Sequence, residues 1–178
     1  MALCVDAEQQ VVAFRAADGR GIAFEPVPLG GQDYNRLEKL TLLHDEQGYA
    51  VVDHAQNLTY RFGPNRGDEV LPLAAIEHPN GFSIRFRYDG TGHLAEIEDS
   101  ARRLLQVGTD PQGRILHITA PHPTEPRQTV RLVEYRYNRR GELVSALDAL
   151  GQAAHYRYEN RLLVQETFKH GLNFYFQY

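Results

Sequence analysis

Phe86-Arg87-Tyr88-Asp89-Gly90-Thr91-Gly92-His93-Leu94 is the most telling stretch of the chain. Two aromatics at alternate positions lead into a turn of Asp, Gly and Thr, and an apolar residue follows. Gly and Asp accept positive φ, and the flanks alternate with period two, the pattern of a β-hairpin. On an extended chain Ile84, Phe86 and Tyr88 share one face, and Arg85 and Arg87 the other. Helical spacing fits these residues poorly.

The stretch recurs. Tyr135-Arg136-Tyr137-Asn138-Arg139-Arg140-Gly141-Glu142-Leu143 repeats it, with Val133, Tyr135 and Tyr137 opposite Glu134 and Arg136. Val107-Gly108-Thr109-Asp110-Pro111-Gln112-Gly113-Arg114-Ile115 is a degenerate copy between them. Phe86 to Val107 and Tyr135 to Tyr156 are both 21 residues apart, but Val107 to Tyr135 is 28. The excess matches Pro121-His122-Pro123-Thr124-Glu125-Pro126, read as a longer loop. Gly81, Gly151 and Gly171 each precede an aromatic, at Phe86, Tyr156 and Phe176, by five residues. Gly92, Gly113 and Gly141 let each hairpin reverse. The copy at Tyr156-Arg157-Tyr158-Glu159-Asn160-Arg161-Leu162 lacks the turn Gly, yet Asn160 tolerates the left-handed conformation, so a tight hairpin is expected there.

Working outward, the first half carries a weaker form of the pattern. Asp18 to Phe24 reads as a turn entering a strand, Leu40 to Val52 as strand, turn and strand, and Asn57 to Phe62 as the start of another. Val27 to Arg36 reads as a loop, and Asp68 to Ala75 as room for a short turn. The chain thus divides into a weaker β-rich segment over 1–39 and hairpin repeats over 40–178, clearest over 81–178. A period near 21 in 178 residues gives about eight hairpins, or roughly sixteen strands. A sheet that wide curls or splits. The expected fold is all-β: consecutive antiparallel hairpins in a curled sheet.

Composition agrees. Ten Tyr and eight Phe with no Trp follow from aromatics recurring at strand positions. With 19 basic and 23 acidic side chains the net charge is -4, which argues against a general nucleic-acid binder. The single cysteine, Cys4, rules out an internal disulfide framework. Met1 to Asp6 shows no signal peptide, and no apolar run suggests a membrane helix.

Reactive constellations are weak. His44-Asp45 and Asp53-His54 read as polar turn or strand-end positions rather than acid-base pairs. His117, His122 and Asp110 lack structural-zinc spacing. Ser83, Ser100 and Ser145 show no nucleophile elbow. There is no phosphate-binding glycine loop. No catalytic, metal or cofactor residue is expected, and the chain is not expected to be an enzyme. Alternating Tyr and Phe pack well on pleated strands, which is favoured over a sugar-stacking platform. Arg85, Arg87, Arg136 and Arg157 form a basic ladder, or pair across strands with acids such as Glu98 and Glu134.

These residues resemble the YD-repeat, or Rhs, family, whose unit is a spaced Gly, Tyr-x-Tyr-Asp, a turn Gly and a leucine-like residue. Tyr88-Asp89 with Gly92 and Leu94, and Tyr135-x-Tyr137-Asn138 with Gly141 and Leu143, match it best. Asp110 with Gly113, Gly151 with Tyr156 and Tyr158, and Gly171 through Phe176 to Tyr178 fit more loosely. The resemblance implies part of a hollow β-shell that encloses a C-terminal toxin domain, made in the bacterial cytoplasm and exported by type VI or contact-dependent routes. Implied partners are the rest of the shell, its toxin, and a secretion spike or chaperone. Its second implication is a carbohydrate- or cell-surface-binding repeat module. Asp110-Pro111-Gln112-Gly113-Arg114 is a repeat turn rather than the family's self-cleavage motif. Because the pattern stops part-way through a unit at Tyr178, a neighbouring segment or chain is expected to pair with the aromatic strand from Asn173.

Overall fold

The computed structural model describes residues 1–6, 8–63, 69–125 and 128–178. Its seventeen strands are antiparallel, and no helix occurs among the described residues. The run of consecutive hairpins expected from the sequence is what the chain forms. Contacts divide it into two units, Met1–Phe86 with Asp99–Ala101, and Arg87–Glu98 with Arg102–Tyr178.

The first unit contains β1 (Ala2–Asp6), β2 (Val11–Arg15), β3 (Gly21–Phe24), β4 (Gln32–Asn35), β5 (Leu40–Asp45), β6 (Gly48–Asp53), β7 (Leu58–Phe62) and β8 (Val70–Glu77). Neighbours in sequence pair in every case but β3 and β4, and β8 comes back to pair with β1. The lateral order is therefore β3-β2-β1-β8-β7-β6-β5-β4. The long strand β8 serves two neighbours along one edge. Val70 to Pro72 pairs with β1, and Ala75 to Glu77 pairs with Ser83 to Arg85 of β9 (Ser83–Tyr88).

Inward positions at alternate residues build one core. Val12 and Phe14, Ile22 and Phe24, Leu40 and Leu42, Tyr49 and Val51, Tyr60 and Phe62, and Leu71 and Leu73 are buried together with Leu3 and Val27. Phe14 is the hinge of the aromatic packing, 5.9 Å from both Tyr60 and Phe62. Each fully buried side chain of this kind contributes about 1.5–3 kcal/mol.

Two readings of the first half are corrected. The expected loop over Val27 to Arg36 contains β4. Gly30 N–H donates to His44 O at 2.7 Å and His44 N–H donates to Gly31 O at 3.2 Å, which draws the chain alongside β5. The polar sequence Gln32-Asp33-Tyr34-Asn35 hid that strand. The expected turn over Asp68 to Ala75 is strand from Val70 onward, while Asp68 itself lies outside the described residues.

The second unit holds the end of β9, all of β10 (Leu94–Asp99) but its last residue, β11 (Leu104–Thr109), β12 (Ile115–Pro121), β13 (Thr129–Tyr137), β14 (Leu143–Asp148), β15 (Ala153–Glu159), β16 (Leu162–Thr167) and β17 (Asn173–Tyr175). From β10 to β17 each strand pairs with the next. Burial is sparse: among its described residues only Val107, Ser145 and Ala154 are buried. The proline-rich insertion lies between β12 and β13, where His122 N–H donates to Gln128 O at 2.9 Å; Pro126 falls outside the described residues. Pro121, expected in that loop, still pairs with Thr129 as the end of β12.

Candidate functional site

The repeat residues meet in one turn geometry. In the turn after β9, Asp89 N–H donates to His93 O at 2.8 Å and Gly92 N–H donates to Asp89 O at 3.1 Å. Gly92 has φ 83. This is a three-residue loop, a type I turn closed by a left-handed residue, and that last position suits glycine. The same two bonds join Asp110, Gly113 and Arg114, and likewise Asn138, Gly141 and Glu142.

The first residue of each turn also works through its side chain. Asp89 Oδ1 accepts from Thr91 N–H at 2.8 Å and His93 N–H at 3.0 Å. Asp110 Oδ1 accepts from Gln112 and Arg114 N–H, and Asn138 Oδ1 from Arg140 and Glu142 N–H. An Asp or Asn three residues before the glycine thus satisfies two turn amides that no strand reaches.

Gly81, Gly151 and Gly171, read from sequence as a separate element before the aromatics, sit in the same turn. Their partners are His78, Asp148 and Phe168, each with the same pair of backbone bonds. Asp148 also caps its own turn, accepting from Leu150 and Gln152 N–H. Sequence reasoning missed Asp148, although its spacing to Gly151 equals that of Asp89 to Gly92. His78 and Phe168 offered no such signal. The turn at Asn160 is as tight as expected: Glu159 pairs with Leu162, and Asn160 and Arg161 have φ 50 and 66, a type I′ reversal.

Successive turns touch. A Cβ at Gly113 would lie 2.8 Å from the His93 ring, and one at Gly141 would lie 2.7 Å from Arg114 Nη1. Arg114 is anchored by its Nε to Asp110 Oδ2 at 2.6 Å and lies 4.8 Å over the Tyr137 ring. Tyr137 O–H donates to Ile115 O at 3.0 Å. Lys169 joins its turn to Asp148 at 2.6 Å. Hydrogen bonds from Thr91 hold the Asp89 carboxyl below its ordinary range. Burial pushes the Asp110 carboxyl up, but its bonds to Arg114 and Gln112 outweigh this and hold it low. Lys169 does the same for Asp148.

Between turns the second unit has two unlike faces. Tyr135, Tyr137, Tyr156 and Tyr158 lie half-buried on one, over Ala146 and Ala154. The other carries ion pairs, Arg87 with Glu96 and Glu98, and Arg131 and Arg136 with Glu134. Tyr88 and Phe86 end β9, Leu94 and Leu143 begin β10 and β14, and Phe176 N–H donates to Val164 O at 3.0 Å just beyond β17. Tyr178 is exposed.

The histidines are engaged separately. His54 Nε2 lies 2.7 Å from Thr41 Oγ1, and His44 stacks 4.1 Å from Tyr49 with Nδ1 on Val27 O. The His117 ring covers Gly108, and His122 Nδ1 accepts from Thr124 and Glu125 N–H.

No protein-family model matches the chain. No curated protein matches it either. Among solved structures it is similar to the crystal structure of TcdB2-TccC3, with 12% identity and a TM-score of 0.43, over 88% of this chain and 8% of that one. The Photorhabdus luminescens Tc holotoxin pore gives 12% identity and a TM-score of 0.43. There too the match covers 88% of this chain and 8% of that one, so this chain spans a small part of the structures it is similar to.

Proposed function

We propose that this chain is a wall segment of a Rhs-type YD-repeat shell that encloses a C-terminal toxin domain, delivered by type VI or contact-dependent secretion. One observation supports the reading above others. The same Gly-closed turn recurs from β9 to β17, and the side chain after one turn packs on the glycine of a later one. Such a sheet grows strand by strand without a closing element, as a wall must. The work is mechanical: steric isolation of a cargo, with no reacting group supplied by the wall. Its partners are the remainder of the shell, the enclosed domain and the export apparatus.

Nonspecific proteolysis of the longer gene product containing this chain tests the reading. A C-terminal domain resistant to digestion, and released to it when Gly113 and Gly141 are both changed to Val, is the expected result. Equal cleavage of that domain in both proteins would overturn it.

A further inference from the structure

The first unit has one seam. Among the described residues β3 pairs only with β2 and β4 only with β5, so two strand edges face each other without a backbone ladder. Side chains bridge them instead. Asp33 Oδ2 accepts from Glu25 N–H at 3.0 Å, and Asn35 Nδ2 donates to Ala23 O at 3.5 Å. The second bridge is at the limit of a hydrogen bond, so the seam is weakest away from the connecting loop. A cleft of about 780 Å³ opens along it, within the range of peptide and ligand sites. A second cleft shares its Glu25 wall and adds Asp6.

The charges select the occupant. Among the described residues most ion-paired carboxylates face an arginine, as Asp18, Asp45, Glu77, Glu96 and Asp110 do. Among the described residues Glu25, Asp33 and Asp6 have no cationic partner, and Arg36 is the one cation along the clefts. Beside them Tyr34 is 51% and Leu37 93% exposed. Open strand edges recognise extended main chain, and alternate side chains then read the walls. We propose that this seam binds an extended polypeptide segment in which cationic and apolar side chains alternate, added as a strand on the open edge of β4. Because neighbouring strands lie about 4.8 Å apart, the incoming main chain takes the place of both bridges, Asn35–Ala23 and Asp33–Glu25; its cations then meet Glu25, Asp6 and the freed Asp33, and its apolar side chains cover Tyr34 and Leu37.

Titration of the full chain with a short capped peptide of alternating lysine and valine, followed by amide NMR, tests this. Expected are saturable shifts at Ala23, Tyr34 and Leu37, and binding that weakens with salt. Glu25→Gln and Asp33→Asn keep their size and hydrogen-bonding atoms. Each should weaken the affinity about threefold, the scale of an exposed ion pair. Leu37→Ala, at a nearly fully exposed site, should weaken it without altering the fold. Equal binding of a glutamate–valine peptide, shifts confined to β17, or no saturation at millimolar peptide would each overturn the proposal.

Discussion

Gly141 and Gly108 are glycines for different reasons. Gly141 sits at φ 80, where an L side chain is strained, and its missing Cβ leaves room for Arg114. Gly141→Val should therefore cost about 1 kcal/mol or more, mostly through the backbone, because the arginine tip can move. Urea denaturation checks this, and an unchanged midpoint would refute the turn assignment. Gly108 has no positive φ; it is small because the His117 ring occupies the place of a side chain. Overpacking there should cost about 1–3 kcal/mol in Gly108→Ala. The same change made in a His117→Ala background should cost much less, and a double-mutant cycle measures the difference. Additive losses would mean that the ring is not the obstacle.

At the scale of the element, the turns divide by chemistry. The Asp89, Asp110 and Asp148 carboxyls are held below their ordinary range, so the folded turns bind fewer protons than the unfolded chain. Their contribution is present above pH about 4 and is lost as pH falls through the folded values. The Asn138 turn makes the same bonds with an amide that does not titrate. Amide protection at Gln112 and Arg114, measured against the intrinsic exchange rate at each pH, should fall on acidification while Arg140 and Glu142 stay protected. Loss of protection in parallel at all four would contradict the carboxylate account. The type I′ turn of Asn160 and Arg161 offers the opposite lever. Arg161 at φ 66 bears a strain that glycine would not. Arg161→Gly should raise stability by about 0.5–1 kcal/mol, read as a higher Tm. These turns were legible in the sequence because backbone conformation is a local property, written in an Asp or Asn and a Gly three residues apart. His78 caps the same turn with its ring, Nδ1 accepting from Asn80 N–H at 3.1 Å, and Phe168 makes it with no polar side chain at all; at both, only the glycine betrayed the turn.

At the scale of the whole molecule, what the sequence concealed was nonlocal. The pairing of Leu3 with Leu71 joins residues far apart in the chain, and no local pattern announces it. Leu40 to Val52 and Asn57 to Phe62 read as strands, but nothing in them announced that Leu42, Val51 and Tyr60 meet Val12 and Leu71 in one core. The candidate seam was equally hidden, since Asp33 and Asn35 read as loop residues until β4 placed them beside β3. The uneven core has an energetic consequence. Leu3, Val12, Leu42, Val51 and Leu71 are fully buried in the first unit, whereas the second relies on turns, ladders and half-buried tyrosines. Stability should differ accordingly, because local opening is easiest where little apolar surface is buried. Leu42→Ala should cost about 2–5 kcal/mol. In native-state hydrogen exchange the amides of β5 and β6 should be the slowest in the chain, and those of β16 and β17 should exchange through opening that leaves β5 and β6 intact. Leu42→Ala should speed exchange in β5 and β6 and leave the fast class of β16 and β17 nearly unchanged. A single exchange class across both units, shifted as one by Leu42→Ala, would show that the sparse core of the second unit does not limit its stability.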